Sequence, residues 1–308
     1  MSRRSTVRGP GSNQWGDKPP QAPTQQEFAF ARQRAASARE SLHGLVDTPA
    51  ATTTDDTLQR FFVSQEAKRR WERWRSDPRR AGVVATVEAH TSAVVYDLTP
   101  GDVEDVCRRT GHALGQVRKR DVDPVVEIRD WNPPFAFTHV FHLATERVGQ
   151  LPTFDEVRDF CRTDPAVRAD LWEPALRAVQ EASVNHDPRL AKAAMTWRIG
   201  NAYYSYLRET YVLATLRDMG VPAQVHPLAD ALFRTDFWVD NTNIDLYISN
   251  PRYKTQFGGR KSKSEAMLRD ANPAFNFAVL ELQTRHEFGT VHLPDRQAIA
   301  AVIPSLKK

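Results

Sequence analysis

The chain has 308 residues, with 42 Lys or Arg against 38 Asp or Glu, a formal charge of +4 and a pI of about 9.1. Hydrophobic residues make up 41% and charged residues 26%. This is soluble globular composition, and it excludes a collagen, a disulfide scaffold and wholesale disorder. Cys107 and Cys161 are too few for a cysteine zinc cluster and form no CxxC pair. They read as buried thiols of a reducing cytoplasm. No run of about 18 apolar residues suggests a membrane span, and no apolar stretch follows Arg3, Arg4 and Arg8 to make a secretory signal.

Residues 1 to about 57 read as a tail rich in Pro, Gln, Ser and Thr, with one possible helix over Glu27 to Leu45. A mainly helical part is expected over 58–185. Leu58 to Arg75 reads as one helix, stopped by Asp77-Pro78, and the Val/Thr-rich stretch Gly82 to Tyr96 as a strand pair. Thr99 caps the next helix, with Pro100 at its first position and acids in its first turn. A short basic helix is expected over Ala113 to Arg120. Phe135 to Arg147 reads as a helix closed by Gly149, Thr153 opens another, and Asp164-Pro165 opens a third.

From 190 the pattern changes. A long helix, Leu190 to Met219, ends at Gly220. Gln224 to Leu228, Asp236 to Asp240 and Asn243 to Ser249 read as strands, Glu265 to Arg269 as a short helix and Phe277 to Thr284 as a strong apolar strand. Acids interrupt these strands. Asp245 lies inside Asn243-Ile-Asp-Leu-Tyr-Ile, where Val or Ile would be the norm, and alternation places it with Tyr247, opposite Ile244, Leu246 and Ile248. Asp236 and Glu281 repeat the situation, and Glu209 lies on the preceding helix. An acid among apolar strand residues needs a hydrogen bond, a cation or a metal.

Helix–strand–strand–strand–helix–strand with these acids resembles the PD-(D/E)XK nuclease superfamily, the fold of many type II restriction endonucleases. The resemblance covers about residues 195 to 290. It implies an α/β core of αβββαβ order at 190–308 beside the helical part, an α+β chain as a whole. It also implies Mg²⁺- or Mn²⁺-dependent hydrolysis of DNA by a restriction or other defence enzyme, and a homodimer. Two alignments fit. Asp236 takes the first acid role and Asp245 the second, or Asp245 is first and Glu281-Leu-Gln283 forms the triad. Asp236, Asp245 and Glu281 are then the candidate metal ligands, and Glu209 would support the metal-bound water. The family's lysine is replaced by Tyr247 or Gln283, so Lys261 or a neighbour would stabilise the transition state.

Two basic segments suit phosphate contacts. Lys68, Arg69 and Arg70 open the first, which carries a local +5 through Arg80 with Trp71 and Trp74 interleaved. Lys254, Arg260, Lys261 and Lys263 form the second, in a Gly-containing loop. Gly101 to Arg120, ending on Arg118, Lys119 and Arg120, and His139 to Asp170 each have the order of a helix-turn-helix. A non-catalytic helix-turn-helix DNA-binding regulator is therefore the alternative function. An interaction protein without a nucleic-acid role is a third reading. His139 and His142, three apart on a helix, suit a metal only with a third ligand and otherwise read as core or surface residues.

Overall fold

The computed structural model describes residues 49–249, 264–269 and 272–306. The expected tail helix at 27–45 and the basic loop with Lys254, Arg260, Lys261 and Lys263 lie outside the described residues. Two strand residues, β1 (Thr52–Thr53), lead into α1 (Thr54–Phe61). Then come α2 (Gln65–Arg75), α3 (Ala81–Glu88), β2 (Thr91–Ser92) and α4 (Pro100–Arg109). The helical part continues with α5 (Phe137–Val148), α6 (Phe154–Thr163), α7 (Glu173–Ala182) and the 31-residue α8 (Pro188–Asp218). The last part holds α9 (Pro227–Phe233), β3 (Phe237–Val239), β4 (Thr242–Ser249), α10 (Ser264–Leu268), β5 (Asn276–Phe288), β6 (Val291–Pro294) and α11 (Arg296–Leu306). The chain is α+β, and no helix among the described residues is long and apolar enough to cross a membrane.

Local chemistry sets many of these boundaries. Thr53, Thr99 and Thr153 cap α1, α4 and α6, and in each an acid three residues on, Asp56, Asp102 or Glu156, bonds back to the cap amide. Gly149, in the left-handed region at φ 76°, closes α5 as expected.

Four expectations are corrected. Leu58 to Arg75 is two helices, because Ser64 caps a new start. Gly82 to Tyr96 is not a strand pair. Its first half is α3, which buries Val83 and Val87 at helical spacing, and only Thr91–Ser92 pairs as a strand, with Thr52–Thr53. Ala113 to Arg120 is not a helix; a single turn runs over Lys119–Val122. Gln224 to Leu228 contributes one antiparallel bridge, Gln224 to Trp238, because Pro227 starts α9.

The sheet order is β3-β4-β5-β6. β3 and β4 are antiparallel, β4 and β5 parallel, and β5 and β6 antiparallel. Each face meets a different core. Phe237, Val239, Ile244, Leu280 and Leu282 join the larger cluster around α8, with Tyr203, Tyr206 and Leu207. Trp238 joins the smaller one, with Phe61, Trp71, Trp74, Val83, Val87, Leu228, Phe233, Leu268 and Phe275. Both clusters therefore draw on residues from either side of 185–190.

Glu146 ties the larger cluster together. Its carboxylate accepts the amides of Ala93, Val94 and Val95 at 2.7–3.1 Å. Burial pushes its pKa up to about 7, against the pull of those three bonds. Glu146→Ala should cost about 3 kcal/mol or more, because the amides lose their acceptor at roughly 1–3 kcal/mol for each one left buried. Thermal denaturation checks this, and Glu146→Gln should recover part of the loss.

Candidate active site

The β3–β4 hairpin pairs Phe237 with Ile244, so Asp236 and Asp245 stand opposite each other on the other face. Parallel register adds β5 to the same face. Val279 lies beside Asp245, and Glu281 lies beside Tyr247. This is the face of Trp238, away from α8. Asp236 directly precedes β3 and its Oδ2 accepts the Leu246 amide at 2.7 Å. Asp245 is 3% exposed. Both of its oxygens accept the amide of Ser264, the first residue of α10, at 3.1 and 3.3 Å. Glu281 is exposed and Tyr247 half-buried.

The structure thus brings Asp236 and Asp245 together and sets Glu281 two positions further along the face. It does not bring Glu209 to them by register. Glu209 lies half-buried on α8, the helix of the opposite face, where its charge acts on Tyr206 and Arg208. Among the described residues no three His, Cys, Asp or Glu side chains form a metal-binding group. A pair of carboxylates still suits a hard cation such as Mg²⁺, which takes one or two and keeps several waters.

No protein-family model, curated protein or solved structure matches the chain.

Beside this face lies a cation that sequence reasoning missed. Arg60 donates to Asn243 Oδ1 at 3.2 Å and packs against the rings of Phe275 and Trp238 at 5.0 and 5.4 Å. Burial lowers its pKa to about 10, partly offset by Asp240. Arg60 had no local signal beyond its place before Phe61-Phe62.

The first basic segment is split between solvent and core. Lys68 and Arg69 are exposed on α2 and Arg70 is half-buried. Trp71 and Trp74 are buried and stacked at 5.0 Å in the smaller cluster. Since that cluster covers the Trp238 end of the acid face, the basic surface of α2 belongs to the same side of the sheet.

Neither helix-turn-helix candidate presents a basic second helix. Arg118, Lys119 and Arg120 are exposed, but they pair with Asp121 or Asp123 around one turn. In the second pair, α6 carries Asp155, Glu156 and Asp159, and its Arg158 and Arg162 pair with Asp155 and Asp159.

Proposed function

We propose that the chain is a metal-dependent endodeoxyribonuclease of restriction-endonuclease-like build. The observation that carries the reading is Asp236 opposite Asp245 across β3–β4, on the sheet face turned away from α8. The element order supports it: α8, the Gln224 bridge, β3, β4, α10 and β5 run as helix, strand, strand, strand, helix, strand. In this reading Asp236 and Asp245 hold the cation, and Glu281 is the alternative acid. Mg²⁺ or Mn²⁺, when bound, supplies an activated water and offsets charge on the phosphate. The Ser264 amide fixes the Asp245 carboxylate. Lys68, Arg69 and Arg70 contact the DNA backbone from the same side. Tyr247 cannot act as the family's lysine, so the cation comes from Lys254, Arg260, Lys261 or Lys263. A homodimer presenting two such faces would serve two strands.

The test uses mixed-sequence duplex DNA with Mg²⁺ or Mn²⁺ and with chelator. Asp245→Asn keeps an oxygen for the Ser264 amide, so the fold should hold while cleavage falls by at least about 10²-fold, as for loss of one transition-state contact. Glu209→Gln should leave the rate nearly unchanged. Metal-dependent cleavage that survives Asp245→Asn would remove the reading.

A further inference from the structure

Four histidines from three separate stretches of the chain meet in the interior. His90 follows α3, His139 and His142 lie on α5, and His226 caps α9. They are 3%, 1%, 5% and 0% exposed. His90 is the hub, with ring centroids 4.9 Å from His226, 5.8 Å from His139 and 6.1 Å from His142. The cluster is a seam between the two cores. α5 belongs to the larger through Val140, Phe141 and Leu143, whereas α3 and α9 belong to the smaller through Val83, Val87, Leu228 and Phe233.

The hydrogen bonds of His226 require a neutral ring. His226 Nδ1 accepts the Leu228 amide at 3.2 Å, so its proton sits on Nε2, which faces Thr54 Oγ1 at 3.3 Å and the His90 carbonyl at 3.5 Å. Thr54 Oγ1 in turn donates to the Val87 carbonyl at 2.6 Å. A second proton on His226 would face the Leu228 N–H and break the α9 cap. His90 Nε2 meets Ser92 Oγ at 3.3 Å. His90 Nδ1, His142 Nδ1 and both nitrogens of His139 are buried with no hydrogen-bond partner. Such groups cannot accept charge where they lie.

We propose that this four-histidine seam is an acid-sensitive latch, which holds α1–α3 and α9 on the α8 body when neutral and releases them when protonated. Geometry couples the rings through the hub, because a charge on His90 faces the other three within the seam. Other charged groups nearby do not neutralise it. Arg147 repels a proton on His90 and His139, whereas the His90 carbonyl and then Asp56 favour one on His226. Glu146 is committed to the amides of Ala93, Val94 and Val95, and Asp230 accepts from Thr138 Oγ1. Asp170 lies toward Gly82 of α3, and Tyr206 packs its ring on His142.

Burial holds all four pKa values below 6.5, to about 3 for His139 and His142 and about 4 for His226, and repulsion from neighbouring rings adds to it at His90, His139 and His142. A group depressed in the closed form stabilises it fully above its free value and less as pH falls below about 6.5. Each histidine freed on opening raises the open population up to about tenfold per pH unit there, so four give up to about 10⁴-fold. Glu146, raised in the folded state, gains a proton over the same range and opposes this with one group against four.

Hydrogen exchange of the full chain between pH 7.5 and 5, corrected for the intrinsic exchange rate, tests the latch. Segments 54–88 and 226–233 should lose protection steeply while α5 and α8 keep theirs. His139→Phe loses no hydrogen bond and should fold, with the slope lower by one proton; His139→Phe with His142→Phe should lower it by two. Loss of protection in body and layer together, or an unchanged slope in both variants, would overturn the latch. So would Zn²⁺ restoring protection at pH 5.5 in the wild type and not in His139→Phe, because a metal would then own the rings.

Discussion

Gly200→Ala should destabilise the protein by about 3 kcal/mol or more, and lower the melting temperature by roughly 6–12 °C for a domain of this size. A methyl at Gly200 would stand 2.6 Å from the carbonyl carbon of Ala113 and 3.0 Å from the Leu114 nitrogen. These are backbone atoms and cannot swing away. Ala113 is wholly buried, and its amide donates to the hydroxyl of Tyr204, one turn along α8 from Gly200, at 3.0 Å. The helix and the crossing segment are thus pinned where they touch. Alanine normally stabilises a helix interior by about 1 kcal/mol over glycine, so a loss here isolates the steric cost. Gly220→Ala is the control. That glycine has φ +74° and nothing within 4 Å of an added methyl, so only the backbone penalty of about 1 kcal/mol applies. Equal melting temperatures for the two variants would show that the crossing can yield.

Phe61→Ala should cost about 3–5 kcal/mol. Phe61 is fully buried, stacks on Phe233 at 4.8 Å, meets Trp238 edge-on at 5.6 Å and reaches Phe275 at 6.1 Å. It is where α1, α9, β3 and the segment before β5 converge. Its removal leaves a void under the acid face and takes one of the rings from Arg60. Urea unfolding measures the loss, and a change under 1 kcal/mol would mean that the smaller cluster closes over the gap. Phe61→Leu should recover much of it, since volume rather than aromatic geometry dominates the term.

What was legible in the sequence was local. Thr99 with Asp102 and Thr153 with Glu156 satisfy orphan amides within one turn, so their helices can be placed from four residues. The β3–β4 hairpin and the face of Asp245 follow from the turn residues and alternation, whereas the register that sets Asp236 opposite it does not. The Val/Thr run at 82–96 misled because strand preference depends on a sheet to join. Among the described residues its strand partner is Thr52–Thr53, while Val83 and Val87, four apart, find the Trp71–Trp74 side of the smaller cluster. β6 and α11 went unread because a four-residue edge strand after Gly289 carries little pattern. The histidine seam was invisible for another reason: only folding brings positions 90 and 226 to the pair at 139 and 142, which alone suited a metal only with a third ligand. Glu209 shows the reverse case, a residue close in sequence logic that α8 carries to the opposite side of the sheet.

Cys107 and Cys161 are free and buried, in α4 and α6, and both belong to the larger cluster. Burial pushes the Cys107 thiol up to about 12 and the Cys161 thiol higher still. The thiolate is the reactive form, so neither should be alkylated while the body is closed. The pair is therefore a built-in stopwatch. Maleimide mass-tagging over time would count how often the α8 body opens, with no label introduced. It would stay silent when only the smaller layer lifts, and so time the larger core alone.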